Sequence, residues 1–369
     1  MELLEPEVLA LVVAHGFDTL SFFKLRPDVD HLLSPDGSAL LGYAQVGRTL
    51  LAAGDPIGPD EAVPALVHHA REHADARGLR LAVLGASERV RPLLENEGLR
   101  CMYVGDEAIV EVGEFETTGS AMRKLRKPMN RLAREGWTID ARRLGEHTPA
   151  ELAELEALAA RALGGAQERS FAWAMDSLRG EHQADCIAIV GRDPAGTPRG
   201  MLHLVPCFGG RQAWSVSMMR RDPEAANGLM DVLVVEAIAA AKDEGIEELS
   251  LNFAAFSRWL RSPAGRRERL GGRAVRLFSR WIQMESLLRF NQKFRPRWDP
   301  RYLAYDGRMG FVAAGVAAMR VEGQFAKLTS NANYPARRSP SRRDRPDGEA
   351  PAPGGERPEP VDAGGPGDG

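Results

Sequence analysis

Alternating and continuous runs of hydrophobic residues divide the first third of the chain into strands and helices in a regular order. Three strands are predicted at 18–26, 39–46 and 48–54, with Pro-Asp-Gly at 35–37 as a turn between the first two. The elements that follow are a helix at 60–77, a strand at 79–85, a short helix at 87–97 and strands at 99–104 and 107–112. The order is therefore three antiparallel strands, helix, strand, helix and strand.

The same order returns after a basic helix predicted at 120–135. A strand at 137–143 and an amphipathic helix at 149–163 lead into strands at 184–191, 200–208 and 212–218, a helix at 227–244, a strand at 247–252, a helix at 284–293 and a strand at 301–305. This repetition predicts an α+β protein with two tandem copies of one topology, each a mixed sheet with flanking helices. The predicted boundaries are 1–118 for the first copy, 119–136 for the linking helix, 137–328 for the second copy with the active site, and 329–369 for a disordered tail rich in Pro, Gly and Arg.

The amino-acid composition indicates a globular protein and excludes several other classes. The chain has 369 residues, of which 44% are hydrophobic and 27% charged, the balance of a globular protein with a sizeable core. Three scattered cysteines are too few for a disulfide framework or a zinc site, which indicates a reducing compartment. The acidic N-terminus is unlike a secretory signal, and no run of about 20 apolar residues could span a bilayer. We expect a cytoplasmic protein, at most peripheral at the inner face of the membrane.

The net charge of −3 hides two basic segments. Residues 256–301 hold thirteen Arg and Lys against three acidic residues, and residues 122–143 hold eight against two. Such clusters in an otherwise acidic chain favour a phosphate-rich partner, either nucleic acid or anionic lipid, although a solvated helix face would look similar. On the predicted basic helix, the residues spaced to reach such phosphates are Lys124, Arg126, Arg131 and Arg134.

A ligand site is expected where the third strand of each copy runs into a Pro-containing loop that opens the long helix. The two loops are Gly-Asp-Pro-Ile-Gly at 54–58 and Arg-Arg-Asp-Pro at 220–223, and a helix N-terminus offers unpaired N–H groups to anions. The order of elements resembles the GNAT acyltransferase fold, in which this junction holds coenzyme A on an (Arg/Gln)-x-x-Gly-x-(Gly/Ala) loop. Neither loop has that form, and Asp55, Asp222 and Glu224 would place carboxylates beside a pyrophosphate. We therefore expect no coenzyme A and no other cofactor.

Several short motifs occur in a fixed order between residues 22 and 302. They are Phe-Phe-Lys-Leu-Arg-Pro-Asp at 22–28, Gly-Asp-Pro-Ile-Gly at 54–58, Lys-Leu-Arg at 124–126, Met-Arg-Arg-Asp at 219–222, Asn-Gly-Leu-Met at 227–230, Ser-Leu-Asn-Phe-Ala at 250–254, and Arg-Phe-Asn-Gln-Lys-Phe-x-Pro-x-Trp-x-Pro-Arg-Tyr at 289–302. Together they resemble the catalytic domain of bacterial phosphatidylglycerol lysyltransferases. The resemblance implies a tandem-GNAT enzyme that takes an aminoacyl group from aminoacyl-tRNA and esterifies it to a hydroxyl of phosphatidylglycerol.

The implied reaction exchanges one ester for another, so positioning and oxyanion stabilisation should dominate the chemistry. The predicted catalytic residues are Arg220, Asn252 and Lys293. Arg220 would clamp a phosphate, Asn252 would hold the substrate carbonyl or amino group, and Lys293 would offer a cation to the oxyanion or a phosphate. The predicted substrate-binding residues are Arg221, Asp222, Asn227, Ser217 and Phe253.

Alternatives stay open for these residues and for the function. Arg220 could form a surface ion pair and Asn252 could be a strand-end cap, while Ser217 stands where lysyl and alanyl enzymes commonly carry Asp, so the transferred amino acid is open. No general base is chosen among His203, Asp222 and Glu236, and a metal site at His68, His69 and His73 is disfavoured. The alternative functions are the same transfer to a soluble small-molecule acceptor, or a non-catalytic module that binds tRNA or an anionic membrane.

Overall fold

One continuous sheet of eleven strands forms the middle of the molecule. The computed structural model describes residues 5–164, 178, 182–258 and 281–321, and the predicted tail at 329–369 lies outside them. The strands are β1 (Asp30–Leu33), β2 (Leu40–Val46), β3 (Thr49–Ala53), β4 (Arg80–Ser87), β5 (Arg100–Glu111), β6 (Thr138–Arg143), β7 (Ile187–Arg192), β8 (Pro198–Pro206), β9 (Ala213–Arg221), β10 (Glu248–Ala255) and β11 (Arg297–Tyr305). Their order across the sheet is β1-β2-β3-β4-β11-β5-β10-β9-β8-β7-β6.

Helices cover both faces of this sheet. They are α1 (Glu5–His15), α2 (Val63–Ala76), α3 (Arg91–Asn96), α4 (Arg123–Arg134), α5 (Pro149–Leu163), α6 (Leu229–Asp243), α7 (Trp281–Asn291) and α8 (Gly307–Val321). Within the described ranges, none of them is both long and apolar enough to cross a membrane.

The predicted α+β fold with two copies of one topology is confirmed, with one correction. The two mixed sheets are not separate, because each copy gives its last strand to the other. Strand β11 of the second copy pairs with β4 of the first, and β5 of the first copy pairs with β10 of the second. The antiparallel β5–β11 pair joins the halves at the centre of the sheet. Counted outward from this pair, the strands of the two copies follow in the same order, and of the described strands β6, at the outer edge of the second copy, has no counterpart in the first. The predicted sequence boundaries between copies therefore do not separate the halves in space.

Most predicted elements match the structure to within a few residues, with a few exceptions. The strand predicted at 18–26 is wrong: the segment turns, with a 3-10 helix at Phe22–Leu25. The two strands predicted at 99–104 and 107–112 are one long strand, β5. Helices α1 and α8 were not predicted from the sequence.

The two faces of the sheet bury separate hydrophobic cores. On one face, called the α6 face, α4 and α6 pack on alternate residues of the strands such as Ala108, Leu249 and Trp298, and α2 and α3 pack there on the first copy. On the other face, called the α5 face, α5 and the 3-10 helix pack on the second copy, and α8 packs on the first. Because neighbouring residues of a strand point to opposite faces, residues 107, 248, 297, 299 and 301 belong to the α5 face.

Strands β9 and β10 separate after a short parallel contact. They pair only from Glu248 to Ser250, whereas the pairing of β10 with β5 continues to Ala255 past an irregularity. Asn252 lies at this irregularity with φ of 68°, in the left-handed region that asparagine tolerates better than most residues. The corresponding position of the first copy is Gly85 in β4, with φ of 79°. Both copies thus kink their fourth strand where it leaves the third.

Helix α4 packs closely against the start of α6. Its buried Leu125 and Leu132 are seven residues apart and lie on one side of the helix. Gly228, the residue before α6, has φ of 80°, and a β-carbon there would lie 2.6 Å from Cβ of Pro128. Only glycine allows both this backbone conformation and this approach.

We expect Gly228→Ala to destabilise the protein more than the matched change Gly245→Ala. Both positions have positive φ, which costs alanine about 1–2 kcal/mol, but a β-carbon at Gly245 meets nothing within 4 Å. The overlap with Pro128 should add about 1–3 kcal/mol to the cost at Gly228. Urea unfolding followed by fluorescence measures the difference, and equal midpoints for the two variants would contradict the described packing of α4 on α6.

Candidate functional site

A cavity of about 490 Å³, here called the central cavity, opens on the α5 face of the sheet. Both copies form its walls, and the β8–β9 hairpin and the segment after α1 form its rim. It is lined by Phe17, Asp18, Asp55, Ser87, Glu88, Arg89, Glu107, Gly210, Arg211, Gln212, Glu247, Glu248, Arg297, Asp299, Pro300 and Arg301. Its volume is in the range of ordinary small-ligand sites.

The lining of the central cavity is strongly polar, with an excess of negative charge. Seven of the lining residues are Asp or Glu and four are Arg, while only Phe17 and Pro300 bring sizeable apolar side chains. Several of these charges pair with one another: Arg297, for example, donates to Glu248 at 2.8 Å and to Asp299 at 2.9 Å. The excess carboxylates make the cavity favourable for a cationic group such as an ammonium.

Arg301 lies at the floor of the cavity and is almost completely buried. Its Nη2 donates to Asp18 Oδ1 at 2.6 Å, its Nη1 donates to the carbonyl of Gly85 at 3.1 Å, and its Nε donates to Glu107 Oε2 at 3.1 Å. Burial works to lower the pKa of Arg301, but the two carboxylates outweigh it and hold that pKa well above its usual value. Burial likewise works to raise the pKa of Asp18, but Arg301 and Lys24 hold it at about 2.

A second carboxylate, Asp55, continues the buried network. Its Oδ1 and Oδ2 accept from the N–H and hydroxyl of Ser87 at 2.8 and 2.6 Å, and its own N–H donates to Asp18 Oδ2 at 3.0 Å. Burial, reinforced by the charge of Asp18, raises the pKa of Asp55. Lys24 donates to the carbonyl of Asp55 at 2.7 Å, and burial lowers the pKa of Lys24 to about 8.

The network also reaches Asn252, where β9 and β10 separate. Ser250 donates its hydroxyl to Glu107, and the N–H of Asn252 donates to Ser250 Oγ at 3.1 Å. The side-chain amide of Asn252 donates to the carbonyl of Val216 on β9 at 3.0 Å, and its Oδ1 accepts from the N–H of Phe253 at 2.7 Å. One predicted catalytic residue is therefore connected by hydrogen bonds to the floor of the central cavity.

Other predicted site residues meet at the start of α6, on the α6 face. Lys293 donates from Nζ to both oxygens of Asp231, in the first turn of α6, at 2.6 and 2.9 Å. Arg221 donates to Asn227 Oδ1 at 3.4 Å, and Arg131 of α4 donates to the carbonyl of Asn227. We call these five residues the α6 N-terminal cluster; it contains three cations and one carboxylate beside a helix N-terminus.

The predicted catalytic residue Arg220 and the predicted substrate residues Asp222 and Ser217 are tied into the structure of the second copy. Asp222 is buried; burial works to raise its pKa, but hydrogen bonds from the N–H of Glu224 and from Arg161 lower it. Arg220 is buried on the α5 face beside Met201 and donates to the carbonyl of Met219 at 3.2 Å, and the lining of the central cavity does not include it. Ser217 is buried at a register shift of β9.

Phe253 is half-buried, and a β-carbon at Gly105 would lie 2.4 Å from its ring. A glycine at that position of β5 is therefore needed to accommodate the ring where β10 bends.

The basic residues predicted on one helix do lie on α4, but they are not equivalent. Arg126 donates to the carbonyls of Thr117 and Gly119, the latter at 2.7 Å, and so braces the loop before the helix. Arg134 is exposed and donates to the carbonyl of Asn130 at 3.0 Å, and Lys124 is exposed on the same helix. The exposed cations give α4 a basic surface.

The reasoning from sequence missed the buried charges of the cavity floor as site residues. Asp18 and Glu107 were read as parts of strands, and Arg301 only as the end of a motif. A signal was present: each is a charged residue within or beside an apolar strand segment, and Arg301 and Asp55 fall in the motifs that carry the resemblance. A lone charge in an apolar strand needs a buried partner, but the sequence does not say which residue supplies it.

The residues considered as bases lie in the second copy, and the histidines considered as metal ligands lie on α2 of the first. His203 is fully buried, which lowers its pKa to about 4, and its ring nitrogens have no hydrogen-bond partner among the described residues. Glu236 lies on α6 with its pKa raised by burial. His68 pairs with Glu72 and Glu97, and no cluster of potential metal ligands occurs in the part of the chain that the structure describes.

Comparisons with known proteins agree on one family. The model of the family "Phosphatidylglycerol lysyltransferase, C-terminal" matches residues 9–305. The lysylphosphatidylglycerol biosynthesis bifunctional protein LysX of Rhodococcus opacus is 34% identical over 86% of this chain and 29% of its own length. LysX of Mycobacterium avium is 33% identical over 97% of this chain and 32% of its length. The chain thus spans about a third of the length of these relatives.

Solved structures match the fold over most of the chain. The C-terminal domain of a putative lysylphosphatidylglycerol synthetase from Agrobacterium fabrum has a TM-score of 0.71 and 24% identity, covering 85% of this chain and 94% of that one. L-PGS from Bacillus licheniformis has a TM-score of 0.68 and 23% identity, covering 86% of this chain and 96% of that one. At this level of identity these structures support the fold alone.

We expect Arg301→Met to destabilise the protein by about 3–5 kcal/mol at neutral pH, because it leaves the buried Asp18 and Glu107 carboxylates without their cation. The Asp18 pKa of about 2 lies below its unfolded value of 3.8, so the stability it contributes is complete above about pH 4 and is lost as the pH falls towards 2. The deficit of the variant should therefore shrink across that window. Denaturant unfolding of both proteins at a series of pH values measures it.

Arg297→Met is the matched control, because Arg297 lies on the same strand and face but is 45% exposed. Its loss should cost no more than about 1 kcal/mol. A deficit for Arg301→Met that is equally small, or that does not change with pH, would contradict the buried ion-pair network.

Proposed function

We propose, since this chain belongs to the phosphatidylglycerol lysyltransferase C-terminal family, that it transfers an aminoacyl group from aminoacyl-tRNA to a hydroxyl of phosphatidylglycerol. The names of the relatives refer to lysylphosphatidylglycerol, so lysyl is the first amino acid to test. Because the chain spans about a third of those relatives, activity, substrates and partners must be tested on this chain itself.

The observation that carries the proposal is the acidic central cavity with its floor connected to Asn252. An aminoacyl ester bears an ammonium group next to its carbonyl, and lysyl bears a second one on its side chain. The excess carboxylates of the lining favour these groups, while Asn252 lies at the separation of β9 and β10. The site thus offers a place for the amino groups and a polar amide at the adjacent gap in the sheet.

The reaction itself needs only positioned polar groups. The acceptor hydroxyl oxygen attacks the ester carbonyl carbon, its proton passes to the departing ribose oxygen, and the carbon–oxygen bond to the ribose breaks. An amide has two N–H bonds, and the contact with Val216 uses one of those of Asn252, leaving the second to stabilise the oxyanion. No energy beyond that of the ester is required.

The acceptor lipid also carries a phosphate, which needs a binding site of its own. We assign the lipid phosphate to the α6 N-terminal cluster, where Lys293 and Arg221 flank the start of α6. The exposed cations of α4, which packs against the same helix, would contact neighbouring anionic headgroups. Each cation near a negative membrane surface contributes about 1 kcal/mol, so peripheral membrane contact follows from the same assignment.

The direct test is transfer by the purified chain. Lysyl-tRNA labelled in its lysyl group is incubated with vesicles of phosphatidylglycerol, and the lipid extract is separated by thin-layer chromatography. We expect a labelled lipid that disappears when the tRNA is first treated with RNase. If charged tRNAs of all twenty amino acids yield no labelled lipid, the lipid acceptor is wrong. Labelling of a small soluble metabolite instead would favour the soluble-acceptor alternative.

Asn252→Gly separates a catalytic role of the amide from a structural one. Glycine accepts the positive φ of this position, as Gly85 does in the first copy, so the variant should unfold within about 1 kcal/mol of the original protein. We expect its transfer rate to fall about 100-fold, as for removal of one oxyanion donor. Gly245→Asn, which places asparagine at another positive φ where a β-carbon meets nothing within 4 Å, is the control and should retain most activity. Full activity of Asn252→Gly would make the residue a structural cap.

A further inference from the structure

We propose that Phe17, with Arg89 and Arg211 beside it, is a stacking platform for the terminal nucleobase of the aminoacylated RNA. This inference rests on the proposed function and adds a binding site for one part of its donor substrate. Phe17 lines the central cavity at its rim and is 46% exposed. The guanidinium carbons of Arg211 and Arg89 lie 5.2 and 5.9 Å from the centre of its ring.

The ring is presented by a rigid segment. The N–H groups of Gly16 and Phe17 donate to the carbonyls of Val12 and His15 at 2.7 and 2.8 Å. From the β8–β9 hairpin, the N–H of Phe208 donates to the carbonyl of Gly16 at 3.1 Å, and Arg211 donates to that of Phe17 at 3.3 Å. Both copies therefore fix the backbone that carries the exposed ring, so that little ordering entropy is lost when a ligand binds to it.

The β8–β9 hairpin packs directly against the main chain of residues 15 to 17. A β-carbon at Gly209 would lie 2.9 to 3.0 Å from main-chain atoms of residues 15 to 17, and the glycine itself has φ of 62°. The position of Phe17 over the cavity thus depends on the second copy as well as the first.

The two arginines differ in how firmly they are held. Arg211 is anchored by Glu248, to which its Nε donates at 2.7 Å, and it remains beside the ring. Arg89 is 44% exposed; it pairs with the exposed Asp60 at 2.9 Å and lies 3.8 Å from the buried Asp55, so a base that stacks on Phe17 must displace a surface ion pair and this longer contact. An aromatic ring next to a guanidinium group is the arrangement that proteins use for unpaired bases and their phosphates.

The order of groups from rim to floor matches an aminoacylated nucleotide rather than a lipid. The rim holds the aromatic ring and two guanidinium groups, and the rest of the lining carries seven carboxylates against two further arginines, Arg297 and Arg301. A terminal nucleotide places its base and phosphate on one side of the ribose and its aminoacyl ammonium on the other. Acyl chains would need apolar walls, and this lining has almost none. The observations therefore favour the RNA end over the lipid at this rim.

The test compares two probes, an intact tRNA with its single-stranded 3′ end and the same tRNA lacking its terminal nucleotide. With the original protein, we expect the intact tRNA to bind more tightly in a fluorescence titration. Phe17→Ala should weaken binding of the intact tRNA about 5- to 100-fold and leave the truncated one unchanged, since one base stack contributes about 1–3 kcal/mol. Phe17→Trp should restore the preference. Phe311→Ala, on α8 at a similar exposure of 40%, is the matched control and should change neither value.

Three results would overturn the inference. The first is an equal affinity of the original protein for the two tRNAs, and the second is a Phe17→Ala variant that keeps the preference. The third is a variant whose tRNA binding is intact but whose binding to phosphatidylglycerol vesicles is reduced, which would make Phe17 a lipid contact. If the original protein transfers lysyl groups while Phe17→Ala behaves normally, this inference alone fails. If there is no transfer at all, the proposed function fails as well.

Discussion

Arg301 is buried at the junction of the two copies, and its hydrogen bonds hold that junction together. A guanidinium group removed from water is tolerated only when carboxylates and carbonyls satisfy it, and its partners come from three separate places in the chain. Asp18 precedes the 3-10 helix, Gly85 lies in β4 and Glu107 lies in β5. Since Arg301 itself lies on the strand that the second copy gives to the first, its hydrogen bonds fix the exchange of strands and the floor of the central cavity at once.

The two copies have kept one topology and diverged at the kink of the fourth strand. In the first copy the kink is Gly85, and Ser87, two residues further along β4, donates to Asp55. In the second copy the kink is Asn252, whose amide crosses the gap to β9. A glycine there would accept the same backbone conformation but would lose the amide, which bonds to Val216 and leaves one N–H for the proposed reaction. This asymmetry places the chemistry that we propose in the second copy, while the first supplies much of the acidic wall.

Much of the fold could be predicted from sequence, because helix and strand periodicity are local properties. The repeated order of elements, the long helices and the bounds of α5 follow from it, and Thr148 with Glu151 caps that helix as such sequences do. The exchange of β5 and β11 could not be predicted, since pairing partners in a sheet are set by contacts distant in sequence. The candidate site could be predicted only in part, because the contacts that form it are also distant in sequence. Asn252 and Lys293 lie in recognisable motifs, but the partner of each, Val216 and Asp231, is known only from the folded chain.

The sheet therefore separates two electrostatic environments that a transfer between unlike substrates requires. The α5 face offers an acidic cavity, which favours ammonium groups and has Arg89 and Arg211 at its rim, and the α6 face offers cations at a helix N-terminus, which favour phosphates. A single cleft carrying both charges would neutralise itself through internal ion pairs, as Arg297 and Asp299 do within the cavity. Separation by a sheet preserves each environment, and in the function that we propose the gap between β9 and β10 is where the two would act on one ester. A donor bound by its amino group and an acceptor bound by its phosphate would thus meet at Asn252 without competing for the same charges.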